Sequence, residues 1–144
     1  MRSSPRPAAG FTLIELAVVV VVIGVIASLA VPHYVAAIER GKSGEAFRIL
    51  STVSSAQSRY HLRNGIYADD LDKLDVEFSP PYYYVFGALE IPSTESSFET
   101  GFQLAMIRTG FAAGYGEYTV VFNQNGYDPD LSTIPDEITP KMTP

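Results

Sequence analysis

The chain of 144 residues has no cysteine and no tryptophan. Without cysteine there are no disulfides, no thiolate metal sites and no cysteine nucleophile. Histidine is scarce as well. His33 lies beside Pro32 and His61 stands alone much later, so neither has a partner for a zinc site. No Gly-x-Ser-x-Gly elbow occurs, and Gly41-Lys42-Ser43 lacks the earlier glycine and preceding strand of a phosphate-binding loop. An enzyme is therefore not expected, nor a resident cofactor. Disorder throughout is excluded by the 8 Phe and 9 Tyr.

Charge is low at 18% of residues and unevenly placed. Arg2 and Arg6 stand in the first ten residues with no acid. Residues 33–63 hold five bases (Arg40, Lys42, Arg48, Arg59, Arg63) against Glu39 and Glu45. Residues 64–144 hold Lys73, Arg108 and Lys141 against thirteen acids. An acidic body argues against nucleic-acid binding there, because phosphate contact needs positive potential. A basic stem joined to an acidic body suits copies of the chain packing stem against body.

Phe11 to Val31 is an apolar run of 21 residues whose one charge is Glu15. As a helix it reaches about 30 Å, the thickness of a bilayer's hydrocarbon core. The arginines before it place that end in the cytoplasm by the positive-inside rule. Three readings compete. One is a plain membrane anchor. Another is a secretory signal cut after Ala30, at the small residues of Ser28-Leu29-Ala30. Neither accounts for Glu15, since an unpaired acid in hydrocarbon costs about 2–3 kcal/mol even on lenient insertion scales.

The third reading does. Gly10-Phe11-Thr12-Leu13-Ile14-Glu15, after a short basic leader and with Gly24, Pro32 and Tyr34 in matching places, resembles the processing motif of type IV prepilins and type II secretion pseudopilins. The resemblance implies that a prepilin peptidase cuts between Gly10 and Phe11 and that Phe11 becomes N-methylated. Cleavage leaves an amine one helical turn from Glu15, on the same side of the helix. In a bundle, Glu15 would meet the amine of a neighbouring copy and so set the axial offset between subunits. The resemblance also implies that the segment between Gly24 and Pro32 unwinds in filaments. Proline deprives the Ser28 carbonyl of its donor, so a kink is expected near Ser28–Pro32.

Beyond Pro32, Ala46, Ile49, Leu50, Val53, Ala56 and Tyr60 recur at three- and four-residue intervals. Asn64-Gly65 is a helix stop. One helix from Phe11 to about Arg63 is predicted, although Gly41 and Gly44 each cost it about 1 kcal/mol. Residues 65–74 form a connector in which Tyr67, Leu71 and Leu74 pack. The acids Asp69, Asp70, Asp72, Asp75 and Glu77 do not fit a calcium loop and read as solvated surface. Strands are predicted over Tyr82–Ile91, Phe102–Arg108 and Glu117–Asn123, with Phe102, Leu104 and Met106 on one face. The rings at Tyr82-Tyr83-Tyr84 and Phe86 read as strand packing plus exposed interface. The tail from Gln124, with Pro129, Pro135, Pro140 and Pro144, is expected to wrap the surface without strong regular structure. Pilins often staple this end with a disulfide; here that leaves the tail's anchoring open. Asn125, Asp128 and Asp130 are calcium candidates, because some pseudopilins bind calcium in this region; no other metal is expected.

The expectation is thus an α+β, pilin-like fold: a long N-terminal helix packed on a small antiparallel sheet of three or four strands. Its parts are a cleaved leader (1–10), a transmembrane and filament-core helix half (11–32), an amphipathic half (33–63) and a head (64–144). The resemblance implies a structural subunit of a pilus, stored in membrane lipid at the bacterial inner membrane and then polymerised outside it. Its partners would be copies of itself, the prepilin peptidase, an inner-membrane assembly platform and an assembly ATPase. A type II secretion pseudopilin is the alternative, made weaker by the missing tryptophan; a minor pilin stays open, and so, more distantly, does a secreted or tethered binding domain.

Overall fold

The structure, a computed structural model, describes residues 10–110 and 114–141. The leader arginines, part of the Gly110–Gly116 turn and the end of the tail lie outside the described residues. The chain divides between Val35 and Ala36 into two compact units.

Helix α1, Leu13–Asn64, contributes to both. It starts two residues later than the apolar run because Thr12 is its cap, as described below. It ends where the sequence predicts: Gly65 takes φ +76° and donates its N–H to His61 O at 2.8 Å. The helix is not broken at Pro32, Gly41 or Gly44. In the first unit no residue of the apolar window, of mean hydropathy 2.8, is buried by any other part of the chain. Leu13, Ile14 and Leu29 are all at least two-thirds exposed.

In the second unit the predicted stripe is the core. Ala46, Ile49, Leu50, Val53 and Ala56 are buried, with Tyr60 packed beside them. They meet one face of an antiparallel sheet of order β1-β2-β3-β4: Tyr84–Glu90, Gln103–Arg108, Thr119–Asn123 and Gly126–Tyr127. Along β2, Leu104 and Met106 point into the core as the alternation predicts, and Phe102 before it is buried too. Arg108 continues the same buried face, which the alternation of apolar residues did not reveal. The result is the α+β arrangement of one long helix on a small antiparallel sheet.

Two expectations need correction. β1 starts at Tyr84 rather than Tyr82, because the N–H groups of Tyr82 and Tyr83 donate to the Glu45 carboxylate at 2.9 Å each instead of to a strand. The tail is also more regular than predicted. Gly126, at φ +106°, lets the chain turn back after Gln124-Asn125 into β4, and Asp136–Ile138 forms a 3-10 turn.

The tail is anchored by hydrogen bonds and one apolar plug. Thr119 N and Val121 N donate to the hydroxyls of Thr133 (2.8 Å) and Ser132 (2.9 Å). Ile138 is fully buried, and its carbonyl accepts from Ser43 Oγ at 2.8 Å. Arg40 donates to the neighbouring Glu137 carbonyl.

Candidate processing and assembly site

Thr12 and Glu15 form a reciprocal box at the start of α1. Glu15 Oε2 accepts from both Thr12 N and Thr12 Oγ1 at 2.8 Å, and Glu15 N donates back to Thr12 Oγ1 at 3.3 Å. Threonine at the cap and glutamate three residues on is the capping-box spacing, which satisfies helix-end donors that would otherwise be bare. The sequence carries this signal in Thr-Leu-Ile-Glu. Glu15 is therefore not unpaired within its own chain. Its negative charge also lies at the positive end of the helix dipole.

Gly10 and Phe11 precede the helix, are exposed, and leave the bond between them clear of regular structure. A Cβ built at Gly10 would meet no atom within 4 Å, and the same is true of Gly24. Among the described residues nothing requires glycine at either place. Ser28 turns its hydroxyl back on the helix, donating to Val25 O at 2.7 Å, so that polar group is satisfied inside the apolar run.

The second unit holds a buried polar cluster that the sequence did not disclose. Arg108 Nε donates to Glu39 Oε1 at 2.6 Å and Nη2 to Oε2 at 3.3 Å. Tyr118 donates to Glu39 Oε1 at 3.0 Å, which makes Tyr84 the donor across its 2.8 Å contact with Tyr118. Lys42 lies 3.3 Å from Oε2, and the Arg108 guanidinium stacks over the rings of Tyr83 and Tyr84. Burial works to raise the Glu39 pKa, but the hydrogen bonds from Arg108 and Tyr118 outweigh it and hold the carboxyl below its ordinary range. Burial pushes the Tyr118 phenol up to about 12. Two further helix residues grip backbone. Gln57, fully buried, donates to Ala68 O at 2.9 Å and accepts from Ala68 N at 2.8 Å, while Glu45 takes the start of β1 as described.

Of the three calcium candidates, Asp128 has its carboxylate engaged within its own loop, while Asn125 and Asp130 contribute backbone N–H groups. Asp128 Oδ1 accepts from Asp130 N (3.0 Å) and Leu131 N (3.1 Å), and its Oδ2 accepts from Asn123 Nδ2 (2.8 Å). Asn125 donates its backbone N–H to Asn123 Oδ1. Among the described residues no three His, Asp, Glu or Cys side chains are grouped to hold a metal. The five acids of residues 69–77 are all exposed, with Asp69 paired to Lys73 and Asp75 to Arg59 and Arg63.

Residues 5–31 match the model of the prokaryotic N-terminal methylation motif. The fimbrial protein EcpC of Eikenella corrodens is 38% identical over 61 residues, 42% of this chain and 40% of that protein. The type IV major pilin PilE of Neisseria gonorrhoeae is 38% identical over 61 residues, 42% of this chain and 36% of its own. The type IV major pilin PilA of Myxococcus xanthus is 35% identical over 79 residues, 55% of this chain and 34% of its own. The amino-terminal region of the chain is thus similar to that of type IV pilins and carries the prokaryotic N-terminal methylation motif. The chain spans well under half the length of these curated relatives. No solved structure matches it. The Thr12–Glu15 box falls within the matched motif, whereas the Glu39–Arg108 cluster lies beyond it.

Proposed function

We propose that the chain is a structural subunit of a type IV pilus or related filament. A prepilin peptidase cuts between Gly10 and Phe11 and the new amine of Phe11 is methylated. The precursor waits in the inner membrane, and an assembly platform then draws it into a homopolymer whose centre is built from residues 11–32. No catalytic role falls to the chain itself.

The observation that carries this reading is the bare apolar half of α1. An uncovered apolar helix of this length needs lipid or other helices around it, and a subunit stored in a bilayer and then bundled meets both requirements in turn. Two further features support it. The Gly10–Phe11 bond is exposed and non-helical, which suits cleavage there. Glu15 is already turned toward the end of the helix where cleavage creates the amine, with both Thr12 hydrogens on Oε2. The Phe11 amine of a neighbouring copy then completes the pairing and sets the stagger. Gly24 and Pro32 bracket the part of the helix that loosens in the polymer, since proline leaves the Ser28 carbonyl without its helical donor.

The test is Glu15→Ala in the full chain. Cleavage at Gly10 is expected to proceed while filament yield falls severely; wild-type yield from that variant would overturn the role of Glu15 in assembly.

A further inference from the structure

Residues 33–63 owe their positive balance to five bases, and four of these are engaged inside the molecule. Arg40 donates to Glu137 O, Lys42 pairs with Glu39, and Arg59 and Arg63 share Asp75. Arg48 is the exception: its guanidinium has no hydrogen bond or ion pair among the described residues, although it is exposed and long enough to reach a partner. It lines a cavity of about 130 Å³ together with Ile49, Thr52, Glu77, Phe78 and Ser79. Glu77 shares that cavity, yet no ion pair within 4.0 Å joins it to Arg48.

A guanidinium is a rigid fork of donors matched to a carboxylate. The space beside Arg48 equals roughly four waters at about 30 Å³ each, room for the end of an aspartate or glutamate side chain and little more. Residues 64–144 supply such groups in excess, with thirteen acids against three bases, of which Arg108 is buried and Lys73 already paired. Glu77 of the same chain shares the cavity without pairing to Arg48, and in a polymer of identical chains the other copies bring further carboxylates to it at high local concentration.

We infer that the Arg48 cavity is the socket for an acidic side chain from the head of a second copy. This rests on the filament reading above and deepens it: of the five bases in residues 33–63, Arg48 is the one whose side chain has no ion pair or hydrogen bond among the described residues, and it lies in a small pocket.

Arg48→Lys in the full chain gives the direct test, because carbodiimide joins a lysine amine to a carboxylate only at ion-pair distance. Assembled filaments treated in this way should yield covalent dimers and higher ladders on a denaturing gel. Mass spectrometry should find the introduced lysine in amide linkage to an aspartate or glutamate of residues 64–144. A link only within single chains, or none at position 48, overturns the socket. Arg48→Glu is the second arm. Processing at Gly10 and the melting temperature of the detergent-solubilised subunit should stay close to wild type, since no hydrogen bond or ion pair of the Arg48 side chain among the described residues is lost, while filament yield falls at least tenfold. Wild-type yield from Arg48→Glu, alongside poor yield from Glu15→Ala, overturns the socket and leaves the filament reading standing. Absence of filaments from the wild-type chain overturns both.

Discussion

Glu39 and Arg108, 69 residues apart in the chain, meet at 2.6 Å with both side chains sealed from solvent. One lies on the helix and the other at the end of β2, so the pair fixes the position of the helix along the sheet. A buried ion pair adds little net stability over an apolar pair of similar volume, but removing one partner strands a charge. Arg108→Met should cost about 3–5 kcal/mol. The double variant Glu39→Met with Arg108→Met should recover most of that loss. Denaturant unfolding of the detergent-solubilised chain measures both.

The same carboxyl sets an acid limit. Because the folded pKa of Glu39 is lowered from 4.5, its contribution is fully present above that value and is lost as pH falls through the folded pKa. Tyr118 acts at the other end: its pKa is raised from 10.0 to about 12, so its contribution is present below pH 10 and is lost as pH climbs toward 12. Melting temperature against pH should fall at both limits, and Tyr118→Phe should flatten the alkaline limb.

Gln57 holds Ala68 by two hydrogen bonds in a fully buried position. Gln57→Leu leaves a buried N–H and a buried carbonyl without partners, at about 1–3 kcal/mol for each group. Hydrogen exchange at the Ala68 amide should quicken with the loss of stability, whereas unchanged protection there would contradict the clamp.

Thr12→Val keeps the shape of the side chain and removes the hydroxyl that Glu15 and its amide both use. Losing a helix cap costs about 1 kcal/mol. Faster amide exchange confined to residues 12–16 is expected in lipid nanodiscs, with Thr12→Ser restoring the wild-type rates.

Much of this was legible because it rests on local periodicity. The three- and four-residue stripe from Ala46 to Tyr60 could only be a helix with one buried face, and the alternation at Phe102, Leu104 and Met106 only a strand. The N-terminal methylation motif was legible through the fixed offsets of its residues. The polar interior was not. Glu39, Arg108 and Gln57 each look like solvated surface in sequence, and nothing local says that they find partners far along the chain. The short strand Gly126–Tyr127 has no alternation to display, though Asn125-Gly126 is a hairpin signal that was passed over. The tail is held without a disulfide because Arg40 and Ser43 donate to its carbonyls and its own Ser132 and Thr133 hydroxyls accept from N–H groups of β3.

The intact mass of the polypeptide taken from native cell-surface material tests the central claim most directly. A chain beginning at Phe11 and heavier by one methyl group on its terminal amine is the expected result. A chain that keeps Met1, or one that begins at Val31, would contradict it.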